Sequence, residues 1–128
     1  VSELLELAER CEAATGPDRE LSAAIALATN SWLHEVDGNK PQNCRLRNGF
    51  GSPVYIGGLS GHMDYSASLD AAMTLVPEGW HTFLTQQDRH SRNWRWDLRG
   101  GFGSHVGARC ASPALALCAA ALRARAAA

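Results

Sequence analysis

The chain has 128 residues, 45% of them apolar and 20% charged, with a formal net charge of −1. That composition excludes a disordered or fibrous protein, and the length fits one domain that hides roughly two-thirds of its unfolded surface. No apolar run approaches the ~18 residues needed to cross a bilayer, and no basic segment leads into an apolar stretch at the start. Neither a membrane helix nor a secretory leader is therefore expected.

Residues 3–28 read as two short helices, or one interrupted helix. Leu4, Leu7, Ala8 and Cys11 recur at helical spacing, with Ser2 as a candidate N-cap. Gly16 stops this helix and Pro17 starts the next, whose stripe is Leu21, Ala24, Ile25 and Ala28. Residues 30–62 are dense in glycine, proline and asparagine, which argues for loops and short strands. Asn48-Gly49 suits a hairpin turn between Cys44–Leu46 and Val54–Ile56. Ser68 caps a short helix with Leu69, Ala72, Met73 and Val76 on its apolar side.

A three-stranded meander follows, over residues 80–86, 93–99 and 104–110. Trp94, Trp96 and Leu98 alternate with Arg95, Asp97 and Arg99, the period of a half-buried strand. Strands joined by short loops pair antiparallel. Gly100, Gly101 and Gly103 read as a flexible link. Ser112 and Pro113 open a last helix with Leu115, Cys118, Ala121 and Leu122 on its buried side. The fold class is α+β: a small antiparallel sheet packed with N- and C-terminal helices, sandwich-like, in a single domain over 1–128. Residues 30–62 form an insertion-like stretch.

The segments LLELAERCEAATGPDRELSAAIALA, YSASLDAAMTLVPEGW and SPALALCAAALRARAA cover about half the chain. They resemble the phage α-β-α sandwich domain family, short phage and prophage proteins of unknown function. The resemblance implies a three-layer sandwich and a phage or prophage origin in a GC-rich bacterium. It implies no catalytic residues.

The charge is unevenly spread. Residues 1–38 carry eight acidic and two basic groups, a balance of −6, and residues 39–128 carry ten basic and five acidic, a balance of +5. The chain as a whole is too balanced for a general nucleic-acid binder. Between residues 79 and 110 lie five arginines and two aspartates. The alternation places Arg95, Asp97 and Arg99 on the outer face with His105, Arg109 and either His81 or Thr82. The hairpin end adds Arg89, His90 and Arg92. Arginine binds phosphates bidentately and stacks on bases, so this face suits a nucleotide, a nucleic-acid backbone or an acidic protein surface; the plain alternative is a solvated sheet face. Arg45, Arg47, Phe50 and Tyr55 in the irregular stretch form a second candidate contact, since aromatic and arginine side chains make interface hot spots.

Other chemistry is poorly supported. The five histidines and Cys44 or Cys110 lack the close ligand spacing of a zinc site. There is no nucleophile elbow, and the glycines of 100–103 lack the lysine of a phosphate-binding loop. Cys11, Cys44, Cys110 and Cys118 include no CxxC pair, which points to free thiols in a reducing, cytoplasmic compartment. The expectation is a small binding protein without cofactor or metal. It would inhibit a host defence system stoichiometrically, by covering a host protein or sequestering a signalling nucleotide, and a homodimer is compatible with it. The alternatives are a phage structural or assembly accessory without a small ligand, and a small hydrolase or nuclease.

Overall fold

The computed structural model describes residues 3–31, 33–35, 46–48, 50, 53–54 and 63–127. Its centre is the Ala- and Leu-rich last helix, Pro113–Ala127, of which residues 114–122 and Ala124 are buried. The helix α1, Glu3–Ala13, packs against it through Leu7, Ala8 and Cys11. The helix α2, Arg19–Thr29, packs in turn on α1. A short helix α3, Leu69–Met73, lies against another part of the central helix. A sheet of β4 (His81–Gln87), β5 (Trp94–Arg99) and β6 (His105–Cys110) covers a further side. The central helix, α4 in chain order, is therefore apolar all round. Small alanines let its neighbours approach closely, and a helix hydrophobic on every side belongs in a core.

The expected single buried side of α4, with Leu115, Cys118, Ala121 and Leu122, is thus only part of its buried surface; Leu117, Ala119 and Ala120 are equally enclosed. Two other stripes are also corrected. In α2 the buried residues are Leu21, Ser22, Ala23, Ile25 and Ala26, with Ala24 and Ala28 only half-buried. In α3 the core residues are Ala71 and Ala72, followed by Leu75, while Leu69 and Met73 are exposed. A helix this short turns whichever face its anchors dictate, and here Ser68 caps it by accepting from the Ala71 amide. The cap of α2 is Asp18, whose carboxylate accepts from the amides of Glu20 and Leu21, so Pro17 stands outside the helix. Such a cap is worth about 1 kcal/mol.

A buried polar knot joins the N-terminus of α2 to residues 63–68. Ser22 Oγ donates to Asp64 Oδ1 at 3.0 Å, and the Ser66 amide donates to Ser22 Oγ at 3.0 Å. Ser66 Oγ donates to the Asp18 carbonyl at 2.9 Å and accepts from the Asp18 amide at 2.8 Å. Met63 enters this turn with a left-handed φ of 62°. Removing a buried partner leaves the others unsatisfied, so Ser66→Ala should lower stability by about 1–3 kcal/mol, read as a shift of the urea midpoint.

The meander forms as expected, in the order β4-β5-β6 with antiparallel pairing throughout. A bulge between Thr82 and Leu84 shifts the register of β4 and sets His81, not Thr82, opposite Arg99. Trp96 and Leu98 are buried in the core, and Trp80 and Trp94 pack against it. The Trp96 indole N–H is buried without a hydrogen-bond partner among the described residues. The glycine link is ordered as a 3₁₀ turn, Gly101–Gly103, closed by Gly100 N donating to the Ser104 carbonyl at 2.9 Å. A side chain at Gly100 would run into the Trp80 ring. The opposite face of the sheet stays open at Arg99, His105 and Arg109. Among the described residues, helices thus cover one face rather than the two that the resemblance implies.

A second small sheet contains β1 (His34–Glu35), β2 (Leu46–Arg47) and β3 (Pro53–Val54) in that order, antiparallel. The hairpin expected around Asn48-Gly49 is present, with Leu46 paired to Val54 and Arg47 to Pro53. Asn48 Oδ1 accepts from the Phe50 amide at 2.9 Å. Strand β1 was not anticipated. Cys44, Tyr55 and Ile56 lie outside the described residues.

The three described cysteines, Cys11, Cys110 and Cys118, are free and buried. Burial foremost, then the neighbouring Cys11 and Glu12, pushes the Cys110 thiol up to about 12 from an ordinary 9.0. Contact with Cys11 foremost, then burial, raises Cys118 well above the ordinary value. The folded chain therefore keeps the Cys110 proton where an unfolded chain releases it. Stability should fall as pH rises from about 9 towards about 12. Cys110→Ala should flatten that decline in denaturant titrations across the same range.

Candidate anion-binding face

The outer face of the meander is built by alternation. Cross-strand pairing puts Arg95 opposite Arg109, Asp97 opposite Gly107, and Arg99 opposite His105. On the other side Gln86 faces Arg95 and His81 faces Arg99. Two arginines directly opposite each other on a sheet repel. Arg95 meets that repulsion by donating from Nε to Asp97 Oδ2 at 2.8 Å.

Asp97 is the exception to the outward polar row. Its residue is 2% exposed, whereas its neighbours Arg95 and Arg99 reach solvent. The carboxylate lies flat on β6 because residue 107 is glycine; a Cβ there would collide with Oδ1. It also meets His105 Nε2 at 3.2 Å from Oδ1. One buried carboxylate thus anchors two side chains, Arg95 and His105, each still about two-fifths exposed (41% and 45%). Behind this pair, Arg123 Nη1 donates to the Gly107 carbonyl at 3.0 Å and its guanidinium pairs with Glu12 of α1. Strand β6 is thereby tied to the helices beneath it.

Two clefts lie side by side on this face and share Arg95 and Arg109. The first, about 340 Å³, sits at the end of the β4–β5 hairpin and includes Gln86, Arg89, His90 and Asn93. The second, about 430 Å³, includes Asp97, His105 and Glu12. The hairpin end that lines the first cleft is a preformed turn. The Asp88 amide donates to the Asn93 carbonyl at 2.8 Å, and the Arg92 amide to the Asp88 carbonyl at 3.0 Å. Arg92 closes it with a left-handed φ of 64°. The Asp88 carboxylate accepts from the His90 amide at 2.9 Å. That bond foremost holds Asp88 below the usual carboxylate value, with Arg109 a lesser contributor.

Of the residues expected from sequence, Arg89, His90, Arg95 and Arg109 are brought together around the first cleft. Arg99 shares the face farther along β5. Arg92 lines neither cleft. Arg47 lies in β2, and Phe50, 95% exposed, lines neither cleft. Arg45 and Tyr55 fall outside the described residues. Asp97 was expected to point to solvent; instead Arg95, His105 and the bare backbone of Gly107 enclose it. The readable signal was a glycine on β6 in register with an acid between two arginines. Gln86, Asn93 and Glu12 were missed, because nothing local distinguishes them from other surface residues.

Among the described residues no cluster of three or more His, Cys, Asp or Glu side chains is arranged to hold a metal. No described helix is long and apolar enough to cross a membrane. The chain matches no protein-family model, and neither a curated protein nor a solved structure is similar to it.

Proposed function

We propose that this chain is a phage- or prophage-encoded binding protein that acts stoichiometrically against a host defence, holding an anionic partner on the outer face of its sheet. The observation that carries the reading is the Arg95–Arg109 pair, two like charges set face to face at the junction of two clefts. Asp97 offsets only Arg95, and an anion bound between the two arginines would offset both. The phage origin is supported by the three resembling segments. The test is a pull-down from the bacterial host, comparing the wild type with Arg95→Ala/Arg109→Ala. A partner retained by the wild type and lost from the double variant is expected; equal recovery from both would discard this face.

A second reading, a small hydrolase, is supported by the buried Asp97 that orients the exposed His105, an arrangement that suits a general base. Turnover of a phosphodiester by the wild type and its loss in His105→Ala would replace the first reading. A third, a structural accessory of the phage, predicts a stable high-order oligomer in solution without bound small molecule.

A further inference from the structure

We infer that the cleft at the end of the β4–β5 hairpin is a site for a phosphate-bearing ligand of mononucleotide size, with Asp97 as the residue that positions its main anchor. The inference rests on the anion-binding reading above and names the ligand class.

The geometry of Arg95 is the first argument. Its bond to Asp97 uses the Nε edge of the guanidinium, which leaves the two Nη groups to face an oxyanion as a fork. A bidentate grip of this kind selects phosphate over a point anion. Because the anchoring carboxylate is buried, Arg95 is held in place before a ligand arrives, and preorganisation of this sort reduces the entropy lost on binding. Arg109, opposite on β6, supplies the second guanidinium. Arg89 and His90 add further donors from the hairpin.

The shape of the cleft is the second argument. At about 340 Å³ it falls within the range of small-molecule pockets, roughly 300–1,000 Å³. A flat acidic protein surface has no use for such a recess. Its remaining lining is three amide side chains, Gln86, Gln87 and Asn93, and one carboxylate, Asp88, which is engaged by the His90 amide of its own turn and outnumbered by the three arginines. Side-chain amides match the paired donor and acceptor edge of a purine base. The Gln87 amide already donates to the Arg92 carbonyl at 3.2 Å, so Gln86 and Asn93 are assigned the base. The tryptophans of β5 take no part: Trp96 is buried on the opposite face of the sheet, and Trp94 packs against the same core.

Calorimetric titration with AMP, GMP, inorganic phosphate and adenosine tests the site. A one-to-one complex with AMP or GMP is expected, at least about tenfold tighter than with inorganic phosphate, about 1.4 kcal/mol, and no complex with adenosine. Arg95→Ala and Arg109→Ala should each weaken the nucleotide by about tenfold or more, which is the value of a charge-assisted bidentate contact. Arg95→Lys, which keeps Asp97 paired, should weaken it by about as much, because an ammonium lacks the fork. Arg10→Ala removes the same charge from the exposed surface of α1 and should change affinity by less than about twofold. Circular dichroism confirms that each variant is folded. The inference fails if the folded wild type binds none of the phosphates, if adenosine binds as tightly as AMP, or if Arg95→Ala and Arg109→Ala bind like wild type. A wild type that ignores all phosphates yet captures a host protein lost from the double variant would overturn this inference alone. Loss of both results would overturn the anion-binding reading with it.

Discussion

Leu117→Ala is expected to lower the unfolding free energy by about 2–5 kcal/mol, as much as Leu115→Ala. The two leucines lie on opposite sides of α4, two residues and about 200° of helical turn apart. Both are fully buried. A helix packed on one side only would lose its stability at Leu115 and almost nothing at Leu117. Here α1, α3 and the sheet enclose the helix together, so each leucine leaves a cavity that its neighbours only partly fill. Domains of this kind are stable by about 5–15 kcal/mol in total, and the double variant should be largely unfolded at room temperature. Denaturant titrations of the single variants, with unchanged slopes and lowered midpoints, provide the check. A Leu117→Ala midpoint indistinguishable from wild type would mean that one side of α4 is open.

Gly107→Ala is the second large effect. A methyl group at this position collides with Asp97 Oδ1, a buried carboxylate with little room to retreat. Overpacking of this kind costs about 1–3 kcal/mol, and displacing the carboxylate from Arg95 and His105 adds to it. The loss should therefore approach about 3 kcal/mol or more, large for a single methyl group. Asp97→Ala in the same chain removes the collision. The double variant is expected to be more stable than Gly107→Ala alone, so the two changes should be strongly non-additive. Strict additivity would show that the carboxylate does not occupy the space above residue 107. The same Gly107→Ala change should weaken ligand binding, because Arg95 loses the group that aims it.

Much of the architecture is legible in the sequence, and the reasons are local. The two-residue alternation through Trp94–Arg99 sorts indole from guanidinium because strand side chains alternate by geometry alone. The caps at Ser68 and the glycines after the second strand mark element ends for equally local reasons. What failed depends on partners far along the chain. No periodicity in Pro113–Ala127 reports that three different elements will surround it; the pattern is simply apolar, and only tertiary packing gives it a second buried side. The rotated stripes of α2 and α3 have the same origin. In α2 the buried Ser22 is explained by Ser66 and Asp64, more than forty positions away. Strand β1 has two residues, too few to carry a period. At the candidate face the arginines of the meander were visible as a charged row, but their cleft was not. It depends on a bulge in β4, a preformed turn, and a glycine across the sheet from an acid.

The bulge has one more effect. Among the described residues strand β4 is one edge of its sheet, and its exposed residues Thr82, Thr85 and Gln86 lie along that rim. An even ladder of free amides and carbonyls there would be a template on which a neighbouring molecule could add a strand, and then another. The extra residue at position 83 breaks the spacing of that ladder, so an incoming strand can match the amides on one side of the break or on the other, but not both. The irregularity that sets His81 opposite Arg99 therefore also makes this edge a poor template for an added strand.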